Sequence, residues 1–558
     1  MLIPLLVSIS SLTHTTANAI ATQDQDFDPL TYIDPLIGST NGGNVFAGAS
    51  LPYSIAKAVA DVDGQNTAGF ASDNSRVTGF SALHDSGTGG NPSLGNFPLF
   101  PQICSDGDDV NSCVFGKSAR ATGYVNDSVV ARPGYFGLRM ESGIGAEMTV
   151  SARAALFRFA FPASALSGSG LEGGGEGSSL ILLDLTDLWD SRQNASISVD
   201  PGNARIIANG TFLPSFGAGS YRFYTCVDFY GASVRDSGVW VNDRAGTDVQ
   251  DLYVTRGFNL FYIQAGGFFR FHRPDEGNLT VTARVGVSYV SSQQACQNAE
   301  REIPSPLDDI DRLRSEAEEA WREKLSPISV TPGGAGEDLQ RSFWSGLYRN
   351  MLDPQDMSGE NPLWDSEGPY FDSFYCIWDS FRVQHPLLTI IDPETQSLMV
   401  RSLLDTYKHE GYLPDCRMSL CKGWTQGGSN ADVVLADAYV KNLTGSDANG
   451  INWTLAYEAM VNDAENEPLE WSYQGRGGLK SWKSLGYIPY LDFDYLGFGT
   501  NSRSISRTVE YAYNDFCVAT CWKWVPEATG GLRAPVEEGS SGPNGHYKIL
   551  YLSLKYLA

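Results

Sequence analysis

A chain of 558 residues is too long for one hydrophobic core, and domains of about 100–200 residues imply two or more. Hydrophobic residues make up 42% and charged residues 19%, a globular composition that excludes an intrinsically disordered chain. The formal net charge of −26 repels nucleic-acid phosphates and anionic membranes, and it fits a neutral ligand or a bound cation; solubility alone accounts for it equally well.

An apolar run begins at Leu2, and small residues follow it, with Ala17-Asn-Ala19 and Ala19-Ile-Ala21 as cleavage sites. This pattern reads as a signal peptide over 1–21, although the usual positive charge near the start is missing. The run is too short to span a bilayer, and no other stretch approaches ~18 uninterrupted apolar residues, so no membrane anchor is expected. Six Asn-x-Ser/Thr sequons, at Asn126, Asn194, Asn209, Asn278, Asn442 and Asn452, add to the expectation of a secreted, extracellular or cell-wall glycoprotein. None of the nine cysteines shows a paired zinc spacing. Cys104–Cys113 and Cys416–Cys421 are candidate short disulfides, spacing alone leaves the pairing open, and the odd count leaves one thiol over.

The region 28–291 reads as β. Leu279, Val281, Ala283, Val285, Val287 and Tyr289 alternate with mostly polar neighbours, and Phe157, Phe159 and Phe161 alternate likewise. Ser179 to Leu185 is a continuous apolar run broken only by Asp184, which suits a strand buried on both faces, and the glycine-rich 168–177 stretch reads as a loop. Short strands without intervening helices predict an antiparallel β-sandwich. Beyond 291 the period changes. Leu307, Ile310, Leu313, Ala317 and Trp321 recur at helical spacing, as do Leu339, Phe343, Leu347 and Met351. Further helices are expected over 396–409, 431–441, 453–463 and 504–521, with Gly411 as a C-terminal stop. The domain organisation expected is a sandwich over 28–291, connector helices over 292–330, a helical domain over 331–522 and a tail over 523–558.

Four clusters carry possible chemistry. The first is Asp34-Pro-Leu-Ile-Gly38 with Gly48-Ala-Ser-Leu-Pro52. The second, Thr78 to Gly90, contains His84 and the Ser86-Gly87-Thr88 turn; it is either a ligand-approaching loop or an ordinary one around a hydrogen-bonded histidine. The third is Trp378-Asp379-Ser-Phe-Arg382. Asp379 and Arg382 either pair across one helical turn or, beside Trp378 and Phe381, clamp sugar hydroxyls. The fourth runs from Asp415 through Gly428-Ser-Asn430-Ala-Asp432 to Asp437. Ser429 or Asn430 suits a helix N-cap, and Asp432 suits the first turn; the alternative is a set of oxygen ligands at a cavity mouth, of the kind calcium takes.

Asp34-Pro-Leu-Ile-Gly, Gly79-Phe-Ser-Ala-Leu-His-Asp-Ser-Gly-Thr-Gly, Trp378-Asp-Ser-Phe-Arg, Gly428-Ser-Asn-Ala-Asp-Val-Val-Leu-Ala-Asp-Ala-Tyr and Gly475-Arg-Gly-Gly-Leu, in this order, resemble the glycoside hydrolases of family 92. The resemblance implies a β-sandwich followed by an (α/α)6 helical toroid, here partial. It implies a secreted, inverting exo-α-mannosidase acting on mannans or N-glycans, with a calcium ion that contacts the mannose hydroxyls and helps distort the ring. It places Ser86, Gly87, Thr88, Trp378, Asp379, Arg382, Asn430 and Asp432 at the substrate.

The family's acid, a Glu in a Gly-Asn-Glu-Pro motif, and its base, an Asp in a Gly-Asn-Asp-Asp-x-Gly-like motif, have no match at the expected place. Asn466-Glu467-Pro468 precedes Gly475 and is followed by Leu-Glu-Trp, so it is read as a helix-end loop. The expected rivals to a mannosidase are a non-catalytic mannose-binding protein and a glucan-acting toroid enzyme using Asp415, Asp432, Glu465 or Glu467.

Overall fold

The computed structural model describes residues 27–522 except 65–67, 87–93, 106–108, 167–176, 259–260, 331–333, 445–449 and 494–501. The signal peptide over 1–21, Gly87, Thr88, nearly all of the 168–177 loop and the tail over 523–558 lie outside the described residues.

Two antiparallel sheets form the first half. The eight-stranded sheet runs, in spatial order, 49–50, 57–62, 77–81, 99–104, 178–184, 265–271, 234–241 and 244–246. The nine-stranded sheet runs 251–255, 194–200, 205–212, 221–230, 279–288, 154–161, 145–150, 135–139 and 130–132. Alternation explains the strands at the edge of the core: along Arg205–Phe212 every second residue is buried. The apolar run Ser178–Asp184 is buried at every position, as a strand covered on both faces should be. Phenylalanines join the sheets face to face, Phe80 against Phe159 at 5.6 Å and Phe229 against Phe269 at 5.3 Å. Phe157, Phe159 and Phe161 are fully buried, and each such side chain contributes about 1.5–3 kcal/mol.

Helices follow: α1 Ser292–Glu302, α2 Ile310–Leu325, α3 Glu337–Arg349, the single turn α4 Ile377–Ser380, α5 Gln384–Ile391, α6 Pro393–Glu410, α7 Ala431–Val440, α8 Trp453–Glu465, α9 Leu479–Leu485 and α10 Ser504–Trp522. The change of period near 292 is where α1 starts, capped by Ser291 accepting from Gln294 N–H. Cys226–Cys296 fastens α1 to the nine-stranded sheet. In α2 the buried face is Ile310, Leu313, Ala317, Trp321 and Leu325, while Leu307 lies before the helix and is exposed. In α3 the expected stripe is rotated: Leu339 and Phe343 face outward, and Trp344, Leu347 and Tyr348 face the core, because Trp344 and Tyr348 bury more area. Asp392 and Pro393 open α6, and Gly411, at φ 82°, closes it.

One buried core runs through both halves. Trp321 donates from Nε1 to the Ser50 carbonyl at 2.7 Å, and the Tyr53 amide donates to the Met351 carbonyl at 2.8 Å. Cys104–Cys113 is formed as expected. Cys416 instead bonds Cys376, its partner across a two-strand register, which leaves Cys421, Cys517 and Cys521 as free thiols. Of the sequon asparagines, Asn126, Asn278, Asn442 and Asn452 are exposed, and Asn452 caps α8; Asn194 and Asn209 are half-buried on paired strands. No helix among the described residues is long and apolar enough to cross a membrane.

Candidate active site

Tyr375–Cys376 pairs with Cys416–Met418, and the Cys376–Cys416 disulfide locks that pairing immediately before α4. Ser373 and Tyr375 both hold positive φ, 64° and 61°. Each such non-glycine residue costs of order 1–3 kcal/mol, a strain found preferentially at functional sites. The result is that Asp379 stands at the rim of a cavity of about 480 Å³. Ser86 enters that cavity from the sandwich, and Asn350, Asp353, Tyr375, Asp379 and Gln384 enter it from the helical half. Residues 350, 353 and 384 converge because the Gln384 amide donates to the Asn350 carbonyl at 2.7 Å and to the Asp353 carbonyl.

The recognition segment folds differently from a simple Asp–Arg pair. Arg382 lies over the rings of Trp378 at 4.2 Å and Phe381 at 4.7 Å, and its ion pair is with Glu510 on α10 at 3.3 Å. Trp378 donates to the same Glu510 at 3.0 Å. Asp379 thereby forms no ion pair among the described residues. Partial burial raises its carboxyl pKa, and the more distant Arg382 opposes the rise. Trp378 and Arg382 flank Asp379 but do not wall the cavity.

Behind Ser86 lies a buried charged group. Lys57 is wholly buried, donates to the Ser54 carbonyl at 3.0 Å and pairs with Asp353 at 3.2 Å. Burial pushes Lys57 down and Asp353 up, each opposed by the pairing; Asp353 is also held down by Ser86. Burial drives Asp85 well above the carboxylate range, with a smaller opposing pull from Ser215. His84 is an interior histidine: Nδ1 meets the Lys57 carbonyl at 2.7 Å and Nε2 meets Asp61 at 2.7 Å. It aligns the strand below the cavity and does not line it.

Asn430 and Asp432 are fully buried and do not line the cavity. Asn430 is the terminal cap residue of α7, but its side chain donates to Asp415 at 3.0 Å and not to the helix. Asp432 pairs with Arg476 at 2.6 Å, and Arg476 also holds Asp515 at 2.7 Å. Burial raises both Asp415 and Asp432 to about 7 and raises Asp463 well above its usual range. Glu467 accepts the Leu479 amide at the start of α9, at 2.9 Å, just past the end of α8.

A calcium shell needs six to eight oxygens. Among the described residues no three His, Cys, Asp or Glu side chains converge as ligands. Of the two carboxylates on the cavity wall, Asp353 is already met by the Lys57 ammonium. These residues therefore do not by themselves fit a calcium ion. Sequence reading missed Asn350, Asp353, Gln384 and Glu510, whose partners are distant in the chain. Lys57 did carry a signal, a lone cation within the small apolar run Ile55-Ala-Lys-Ala-Val-Ala60.

Comparison with known proteins follows this geometry. The glycosyl hydrolase family 92 N-terminal domain matches residues 32–288, and the family 92 catalytic domain matches residues 294–527. An uncharacterized secreted glycosidase of Arthroderma benhamiae is 55% identical over 497 residues, which is 89% of this chain and 60% of that protein. A family 92 inverting mannosidase of Bacteroides thetaiotaomicron superposes with a TM-score of 0.74 at 21% identity, covering 89% of this chain and 63% of that one. A family 92 α-mannosidase of the same organism, solved with mannoimidazole, gives 0.73 at 22% identity, covering 95% and 64%. The chain thus spans about three fifths of the length of its curated relative. With both halves matched in order along nearly the whole described chain, this protein belongs to glycosyl hydrolase family 92.

Proposed function

We propose that the protein is a secreted glycoside hydrolase that releases terminal mannose from α-mannosides, with inversion, and that its sugar site is the cavity between the sandwich and the helices. One observation carries the reading: Ser86 and Asp379, from motifs 293 positions apart in the sequence, line the same cavity. Asp379 supplies acceptors for sugar hydroxyls. Arg382, fixed by Trp378, Phe381 and Glu510, flanks Asp379 outside the cavity wall and holds that segment in place. Ser86 supplies a hydroxyl from the sandwich side, beside Asp353. Asn430 and Asp432 act through the buried interior, where they hold Asp415 and Arg476. Inversion requires an acid and a base roughly 6.5–9.5 Å apart with a water between base and sugar. We assign neither to a described residue. The two family 92 structures whose names specify mannosidase activity, and the secreted fungal relative, support the substrate class and the location.

The test is incubation with α-1,2-, α-1,3- and α-1,6-linked mannobiosides, following the first-formed sugar by proton NMR. Release of β-mannose supports the proposal. Mannoside binding without release replaces it with a lectin-like role. Hydrolysis of glucans but not of mannosides overturns the substrate class.

A further inference from the structure

We propose that Asp353 is a specificity-determining acceptor for one hydroxyl of the sugar bound in the cavity; this rests on the reading of that cavity as a glycoside site. Asp353 and Asp379 are the two carboxylates on the cavity wall. Their surroundings differ: the side chain of Asp353 is only 12% exposed, and its Oδ1 is tied to Lys57 at 3.2 Å. Its Oδ2 is buried and makes no hydrogen bond of good geometry, although the Ser86 hydroxyl and amide stand close enough to pull the carboxyl down. A buried carboxylate oxygen so weakly satisfied gains from a better-placed donor on a ligand or water. Rotation about the aspartate χ2 is broad and two-fold, so a small turn offers a vacant lone pair to the cavity while Lys57 stays in attraction.

The chemistry of the donor follows from the charge around it. Lys57 is immobile, wholly buried and anchored on the Ser54 carbonyl, and it already balances Asp353. Asp85, behind them, is buried with neither oxygen in a normal hydrogen bond, and burial favours its neutral form. This wall therefore has little net charge left for a cation to neutralise, and a neutral hydroxyl is the better match. The acceptor is also held in place, because Gln384 clamps the Asp353 carbonyl and Pro354 follows it in the chain. A fixed, acceptor-only group rejects a ligand that lacks the matching hydroxyl more strongly than it rejects a change in apolar size.

The experiment measures binding of methyl α-mannoside and its 2-, 3-, 4- and 6-deoxy analogues by calorimetry. It uses the full chain, Asp353→Asn and Asp353→Ser, with thermal unfolding as the control for folding. In the wild type one deoxy analogue is expected to bind about 10- to 100-fold more weakly than the parent. That penalty should fall severalfold in Asp353→Asn and vanish in Asp353→Ser. If Asp353→Ser fails to fold beside the unpaired Lys57, the near-isosteric Asp353→Asn carries the test. An unchanged deoxy penalty in the folded variants overturns the assignment of Asp353 and leaves the mannoside site standing. Absence of mannoside binding by the wild type overturns the site reading itself, and this inference with it.

Discussion

In the sandwich, Arg284 meets Asp228 at 2.6 Å, Arg120 meets Asp184 at 2.7 Å and Arg270 meets Asp236 at 2.6 Å, so acids and guanidinium groups pair locally. In the helical half, Asp432 and Asp515 share Arg476, while Asp415 and Asp463 are buried and form no ion pair among the described residues, Arg476 acting on Asp463 only from a distance. The difference teaches where protonation matters. Burial raises Asp415, which lacks a cation among its partners, to about 7, and it raises Asp184 in the sandwich as well, where the Arg120 pairing opposes the rise. Both halves also expose apolar side chains among the described residues: Phe258 and Phe261 stand out from the sandwich, and α10 carries Ile505, Val509, Tyr513 and Phe516 as a stripe.

The largest expected effect comes from breaking the helical charge cluster at its cation. Arg476→Met leaves Asp432 and Asp515 without their guanidinium and should cost about 3–5 kcal/mol in urea unfolding. A loss confined to a few tenths would mean that the buried acids need no counter-charge. Next is the tie between the halves. Replacing Cys226 and Cys296 together by Ala should cost about 2–4 kcal/mol and expose α1 to proteolysis before the sheets.

A pH titration reads the buried acids of both halves, Asp187 in the sandwich and Asp415 and Asp432 among the helices. Asp187, Asp415 and Asp432, raised to about 6, 7 and 7, bind protons in the folded state that the unfolded chain releases near pH 4. Their contribution is full below pH 4 and is lost as pH rises towards 7. His385, lowered to about 4 by burial, works the other way over pH 4 to 6.5 and offsets roughly one proton. The net expectation is stability falling from pH 4.5 to 7 by about 1.4 kcal/mol per pH unit for each uncompensated proton. Asp415→Asn should flatten that slope, and an unchanged slope would count against the shift at Asp415. The smallest effect is on the exposed stripe. Ile505→Ser should change stability by no more than about 0.5 kcal/mol while lowering the binding of a hydrophobic dye.

Much of the fold was legible because its signals are local. Period two gave the strand Leu279–Ser288, and helical spacing with Gly411 located the helix Pro393–Glu410 to within a few residues. The rotation of α3 was not legible, since Leu339 and Phe343 fit a helical stripe as well as Trp344 and Tyr348 do; only the available core decides between them. The site divides similarly. Asp379 and Ser86 stood out by their motifs, but Arg382 finds Glu510 from 128 positions away, and Lys57 finds Asp353 from 296 positions away. No window of sequence holds such pairs. Cys376–Cys416 escaped for the same reason, because the strand register that joins them lies outside the spacing of either cysteine.

The central claim is that both halves contribute to one sugar cavity. The most direct measurement is a crystal structure of the full chain with mannoimidazole. The account predicts a sugar ring within hydrogen-bond reach of Ser86, Asp353 and Asp379. A ring bound elsewhere, with the cavity holding only solvent, would contradict it.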